Sequence, residues 1–349
     1  MPGKKEVTIY DIARLLKISS STVSRALQNH PAINVKTRQK IHRMAEALGY
    51  RANYFARSLR MQQTKIIGVI VHELNSNFIT SVLAGIEKVT AEAGYDLLIA
   101  HSSESYKKEK SNANNLFHKR VDGLISSLSL DTTNLDHFKP FLDKAVPIIF
   151  FDRVDVNGNN PIVIIDNAHC GYMATQHLID QDCRRIAHIT SNLNRNVYSH
   201  RYEGYRAALF DNEIDFDESL LIVNDLTEKA AVDSATQILK MNLLPDGIFI
   251  TNDFVAAVCM RTFKKYGVVI PDDIAIVGFN NDAIGNLIEP SLTTINYPGI
   301  DIGEIAARNL INQLSGLSAI HPATSTIVAA ELIIRKSSLK RKGSQGPAN

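Results

Sequence analysis

Apolar positions in the first fifty residues recur with a helical period. Thr8-Ile9-Tyr10-Asp11 has capping-box form, the acid reaching back to the start of a helix that carries Ile12, Ala13, Leu15 and Leu16. Lys17-Ile18-Ser19 leaves room only for a tight connection, and Ser19 or Ser20 caps a second short helix running to Leu27. After Asn29-His30-Pro31 a third helix opens near Asn34, sets Ile41, Met44, Ala45 and Leu48 on one stripe, and stops at Gly49. Two short helices joined by a few residues, with a third covering their apolar faces, predict a helix-turn-helix domain over residues 1–52. Residues 53–64 read as a linker in which Asn53 to Arg60 can form two helical turns, too few to be stable alone in water.

From Lys65 the pattern changes. Apolar strand-like runs at Ile66–Val71, Asp96–Ala100, Gly123–Ser126 and Pro147–Asp152 alternate with helical stretches near Ile79–Ala93 and Lys107–Lys119. The alternation resumes at Ile162–Ile165, Arg185–Thr190, Gly247–Thr251 and Ile274–Gly278. Strand-helix repetition of this kind predicts parallel sheets covered by helices on both faces. The strands are too many for one small sheet, so two doubly wound α/β lobes are expected over residues 65–338. Lobe one takes about 65–166 plus 296–325, and lobe two about 167–295 plus 326–338. The polar tail, residues 339–349, is expected to be disordered.

Composition adds little until charge is placed along the chain. The formal net charge is only +2. Residues 1–65 nevertheless carry thirteen Lys/Arg against three acids, and residues 66–334 carry twenty against thirty-three. A cationic head on an anionic body points to a polyanion partner for the head alone. No apolar run is long enough to span a membrane, and the N-terminus lacks the apolar segment of a secretory signal. Cys170, Cys183 and Cys259 are scattered without metal-ligand or CxxC spacing, so a reducing cytoplasmic setting is expected, near the nucleoid. The eleven histidines form no H-x-x-x-H pair, and no P-loop, GxGxxG or GxSxG motif is present. We therefore expect no metal site, no cofactor and no enzyme activity.

The motifs of the head carry a resemblance. Val7-Thr8-Ile9-Tyr10-Asp11-Ile12-Ala13, Thr22-Val23-Ser24-Arg25-Ala26-Leu27, Lys36-Thr37-Arg38 and Leu48-Gly49-Tyr50 together resemble the head of LacI/GalR-family bacterial regulators, and the likeness continues to about residue 337. This implies a second helix laid in the major groove of double-stranded DNA. Ser20 and Ser21 would then face the bases, and Arg25 would donate to a guanine. Thr8, Tyr10, Ser19, Thr22, Ser24, Asn29 and Thr37 would contact phosphates, which sets register rather than sequence. The family's linker helix folds on DNA and wedges the minor groove. Asn53, Ala56 and Leu59 match that pattern, with Leu59 as the wedge. A wedge at a centre of symmetry requires a homodimer on a palindromic operator.

For the body, the resemblance implies a periplasmic-binding-protein-like pair of lobes closing on a small effector of carbohydrate character. Ligands in such sheets lie beyond the carboxyl ends of the strands. The residues there that match the family's pattern are Asn77 and Phe78, Asp152 and Arg153, Arg201 in Arg201-Tyr202-Glu203-Gly204-Tyr205, Asn252 or Asp253, and Asn280. Many relatives carry two acids where this chain has Asn280-Asn281. Amides offer donor and acceptor without charge, which favours a neutral or anionic effector over a cationic one. Leu226 stands where sugar-binding members often place a stacking aromatic. The implied function is a transcriptional regulator, in the first instance a repressor, whose operator affinity is set by that effector. A transport binding protein would share the lobes but not the basic head.

Overall fold

The computed structural model describes residues 7–50, 63–156, 158–317 and 324–340. The expected linker wedge, with Asn53, Ala56 and Leu59, and most of the expected tail lie outside the described residues. Contacts divide the chain into two units, one ending at Thr64 and the other starting at Lys65.

In the first unit, α1 (Ile9–Leu16), α2 (Ser20–Leu27) and α3 (Val35–Ala47) enclose a small core of Ile12, Ala13, Val23, Ala26, Ile41 and Ala45. The Asp11 carboxylate accepts from the Thr8 backbone N–H at 3.0 Å and from its hydroxyl at 2.8 Å, closing the start of α1. Lys17 takes a left-handed backbone at the end of α1, and Ser19 accepts from the Thr22 N–H, so the turn between the helices is as short as the sequence implied. Asn34 caps α3 by accepting from the N–H groups of Lys36 and Thr37.

In the second unit, the elements β1 (Ile66–Val71), α4 (Asn77–Glu92), β2 (Asp96–His101), α5 (Tyr106–His118), β3 (Gly123–Ser126), α6 (Lys139–Asp143), β4 (Ile148–Phe151) and β5 (Ile162–Ile165) open lobe one. Lobe two follows with α7 (Asn167–Asp180), β6 (Ile186–Thr190), α8 (Asn196–Asp211), β7 (Leu221–Val223), α9 (Glu228–Leu239), β8 (Gly247–Ile250), α10 (Asp253–Lys265), β9 (Ala275–Asn280), α11 (Ile284–Leu287) and β10 (Thr293–Asn296). The chain then returns to lobe one for α12 (Gly299–Leu314) and β11 (Ser325–Val328), and ends in lobe two with β12 (Glu331–Ile333).

Sheet one has the order β11-β5-β4-β3-β1-β2 and is parallel throughout. Sheet two has the order β12-β10-β9-β8-β6-β7, parallel except for β12, which runs antiparallel to β10. The third crossing between lobes falls after Val328, three residues later than the sequence boundary at 325, because β11 pairs with β5 before the chain leaves. In each sheet the order reverses about its first strand, between β1 and β3 and between β6 and β8. Loops at the carboxyl ends of those strands diverge there and leave a crevice.

Helix packing fixes what reaches that crevice. α7 lies against α8 with Gly171 under the Arg201 carbonyl and Gly204 under the Ala168 carbonyl, so close that a Cβ at either glycine would strike backbone. The spacing Arg201-x-x-Gly204 therefore has a mechanical sense. The glycine lets α8 settle on α7, and the arginine one turn earlier enters the interior. We expect Gly204→Val to destabilise the protein by at least about 2 kcal/mol, as overpacking against backbone does, whereas Glu203→Val on the exposed face should cost less than about 1 kcal/mol. Urea denaturation of both variants checks this.

Candidate functional site

Two sets of residues have the chemistry of a binding site, one in each unit. In the first unit, α2 buries Val23 and Ala26 and turns its other side outward. Ser21 and Arg25 are exposed and four residues apart, so they share one face, with half-buried Ser20 and Ser24 beside them. This face is short and polar at its start and cationic one turn later. Ser19 is spent as the cap, and its hydroxyl also meets those of Ser21 at 2.9 Å and Thr22 at 2.7 Å. Tyr10 is 65% exposed at the start of α1. Thr8 and Asn29 are exposed, and Thr37 is half-buried in the first turn of α3. The Asn29 carbonyl accepts from Arg38 at 3.1 Å, which ties the loop after α2 to α3.

In the second unit the carboxyl ends of β1, β3, β4, β8 and β9 converge with α8 and the crossing from β10 to α12. Arg201 is 3% exposed. Its Nε donates to Asn167 Oδ1 at 2.8 Å, its Nη1 donates to the Thr251 carbonyl, and its guanidinium lies 3.5 Å from the centre of the Phe279 ring. Burial disfavours the charged form and lowers its pKa, against the opposing pull of Tyr297, Tyr198 and Asp152. Tyr297, just before Pro298, stands where the chain recrosses between lobes. Its ring stacks on Phe78 at 3.9 Å and meets Phe279 edge-on, and its hydroxyl donates to Asp152 Oδ1 at 2.6 Å.

Asp152 leaves β4 with a left-handed backbone, φ 58°, a region that Asp enters more readily than most residues. Burial raises its pKa, while Arg153, the Tyr297 hydroxyl and Arg201 pull the other way. His72, at the end of β1, sits 3.9 Å from Asp152 and meets Ser127 Oγ at 3.1 Å. Burial and then Arg153 hold His72 well below the usual imidazole range, so it is neutral. Arg153 points away from its neighbour, donating to both oxygens of Glu104 at 2.7 Å and to the Tyr198 hydroxyl at 3.1 Å. Burial weighs against its charge, but the Tyr198 phenol, Glu104 and Asp152 outweigh it and raise its pKa. Within the protein, Asp152 and Arg153 thus bond separate partners. Asn196 joins the lobes here, donating to the Asp152 carbonyl at 2.9 Å and accepting from the Val154 N–H at 3.0 Å.

Asn77 and Asn280, one from each lobe, both hydrogen-bond the Asp282 side chain. Burial raises the pKa of Asp282 against those two bonds, and burial also raises that of nearby Glu73. Asn281 is turned elsewhere, held by Arg335 at 2.7 Å and by Asn296 at 3.1 Å. Asn252 accepts from the Val255 N–H as the cap of α10. Asp253 lies beneath the crevice floor, where one oxygen accepts from the Thr294 hydroxyl and the other from the Asp282 N–H, both at 2.8 Å. Gly278 allows this approach, since a Cβ there would strike Asp253 Oδ1. Leu226 packs on the core of lobe two.

Phe78, Asp152, Arg153 and Arg201 are therefore brought together, Asn77 and Asn280 flank them, and Asn252 and Asp253 support the floor from below. Sequence reading passed over Tyr297, His72, Ser127, Tyr198, Asn196 and Asp282. Tyr297 alone had a local signal, an aromatic before proline at the expected lobe crossing. Cys170, Cys183 and Cys259 are buried, which pushes their thiols up to about 12, 11 and 12 and keeps them protonated. Among the described residues no cluster of His, Cys, Asp and Glu is placed to hold a metal ion, and no helix is long and apolar enough to cross a membrane.

Residues 8–53 match the family model "Bacterial regulatory proteins, lacI family", and residues 175–338 match that of a periplasmic binding protein-like domain. The chain is 31% identical over 307 residues to the ribose operon repressor of Halalkalibacterium halodurans, covering 88% of this chain and 90% of that one. It is 31% identical over 334 residues to the transcriptional regulator RegA of Clostridium saccharobutylicum, covering 95% and 99%. Among solved structures, it resembles the transcriptional regulator CelR in complex with cellobiose, with TM-score 0.71 and 26% identity over 95% of this chain and all of that one.

Burial pushes the Asp253 carboxyl from its ordinary 3.8 up to about 7, against the bonds from Thr294 and Asp282. The folded protein thus holds this proton more tightly than the unfolded chain does. Its contribution to stability is present at acidic pH and is lost as pH rises from about 4 through 7. Asp253→Asn, which cannot ionise, should flatten the fall of Tm between pH 5 and 8. An unchanged slope in a calorimetric pH series would show that Asp253 does not titrate there.

Proposed function

Since the chain belongs to the LacI family of bacterial regulatory proteins, we propose that it is a dimeric repressor whose hold on a palindromic operator is set by a sugar or sugar derivative bound between its lobes. The observation that carries this reading is the convergence of a buried guanidinium, a buried carboxylate and stacked aromatic rings at the carboxyl ends of both sheets. Paired charged groups with an aromatic wall suit a small polyhydroxylated ligand. Phe78, Asp152, Arg153 and Arg201 are the proposed effector contacts, with Asn77 and Asn280 at the rim. Asn252 and Asp253 act by holding the floor, Asp253 through the Asp282 N–H. The relative named a ribose operon repressor and the structural neighbour solved with cellobiose support a carbohydrate.

On the DNA side, α2 enters the major groove, Ser20, Ser21 and Arg25 read base edges, and Thr8, Tyr10, Ser19, Thr22, Ser24, Asn29 and Thr37 set register on phosphates. Residues 53–64 are the hinge, with Asn53, Ala56 and Leu59 at the minor groove and Leu59 as the wedge. The effector acts by binding two arrangements of the lobes unequally, which is the only way a ligand shifts such an equilibrium. The protein binds and signals in the cytoplasm and does not turn its ligand over.

The test is selection of a preferred duplex from a random pool, followed by titration of variants. Arg25→Ala should lose about 1–3 kcal/mol of discrimination at one base pair while non-specific affinity changes little. Equal losses on all duplexes would remove Arg25 from base reading. Arg201→Ala should keep operator binding and lose every shift in operator affinity caused by added sugars. A sugar response retained in that variant would take Arg201 out of the effector site.

A further inference from the structure

Beside the cleft lies a cavity of about 300 Å3 that none of the expected effector residues lines. One wall belongs to lobe one, with Thr132, Thr133 and Asn134 after β3 and Val154, Asp155 and Val156 after β4. The other belongs to lobe two, with Asn194, Arg195 and Ser199 at the start of α8. Both walls continue segments that also form the cleft. Asp152 and Arg153 immediately precede Val154, and Tyr198 and Arg201 lie within the same turns of α8 as Ser199. Asn196 fastens the two segments to each other and itself lines the cavity.

We propose that this cavity receives a second sugar unit of the effector, so that the ligand is a neutral disaccharide or larger glycoside spanning cleft and cavity. The proposal rests on the carbohydrate reading above. Three observations carry it. The volume is at the low end of small-ligand pockets, enough for one further ring-sized unit. The lining mixes aliphatic side chains with hydroxyls and amides that both donate and accept, as the alternating C–H and O–H groups of a sugar ring require, and its one aromatic side chain is the imidazole of His200. Burial and then Arg153 lower the pKa of Arg195, against the fields of Glu109, Asp155 and Asp131, and the Asp155 carboxylate lines the cavity opposite it. A phosphate or carboxylate would meet no excess positive charge. One terminal nitrogen of Arg195 bonds the Thr132 carbonyl, and its buried Nε has no partner among the described residues.

The experiment is calorimetric titration of the full-length protein with matched probes: cellobiose, maltose, lactose and melibiose against glucose and galactose, with adenine and glucose 6-phosphate alongside. At least one disaccharide should bind ten-fold or more tightly than its component monosaccharides. Val156→Trp, which fills the cavity from a partly exposed position, and the double variant Thr133→Ala/Asn134→Ala should each cut that advantage below three-fold while leaving monosaccharide affinity within two-fold. Monosaccharides binding as tightly as disaccharides, or a disaccharide advantage that survives both variants, would overturn this inference and leave the carbohydrate reading standing. Binding of adenine or glucose 6-phosphate in preference to every saccharide, or of no probe at all, would overturn both. Selection of one palindromic duplex by the same samples reports separately on the DNA-binding reading.

Discussion

A charged guanidinium placed in the interior of the body is the constraint to which most of the cleft answers. Taking a cation out of water costs several kcal/mol unless its surroundings supply charge and hydrogen-bond acceptors. Arg201 is supplied by an amide oxygen from α7, a backbone carbonyl at the end of β8, and the faces of aromatic rings from β9 and the lobe crossing. Each of those groups is thereby fixed in place. Phe279 must lie beneath the guanidinium, Tyr297 must stand edge-on to the Phe279 ring, and Asp152 is reached through the Tyr297 hydroxyl. The paired glycines under α7 and α8 make this geometry possible by letting two helices pack at backbone contact.

A second consequence is that the acids of the crevice are restrained from ionising freely. Asp152, Asp253, Asp282 and Glu73 are all pushed upward by burial, whereas the two arginines are held by acceptors. Each of these carboxyls gives up its proton less readily than it would in water. The Asn281 amide stands apart from these acids, since Arg335 and Asn296 occupy its side chain.

The head and the longer parallel strands were plain from pattern alone. Capping residues Thr8, Ser19 and Asn34 stand in sequence next to the helices they start, so local chemistry suffices to find them. Strand Ile66–Val71 is apolar on both faces, and no other element reads that way at that length. β10, β11 and β12 escaped because they span only three or four residues and mix polar with apolar positions, as in Thr293-Thr294-Ile295-Asn296, and β7, though apolar, is only three residues long. Their pairing is decided by neighbours that are distant in sequence. The same reason hid His72, Ser127 and Asn196, whose roles arise only when four separate segments meet. Arg201 was legible because its glycine partner sits one turn away on the same helix.

Three covalent passages join the lobes: after Ile165, after Asn296 and after Val328. Three tethers in one region forbid free translation and leave rotation as the easy relative movement, with the passages as its axis. Tyr297 stands on that axis, bonded to one lobe and stacked among residues of both. Any turn about that axis is magnified with distance from it, so the far ends of the sheets move furthest and the groups around Tyr297 least. The body is in that sense a lever, with its fulcrum built from a phenol ring.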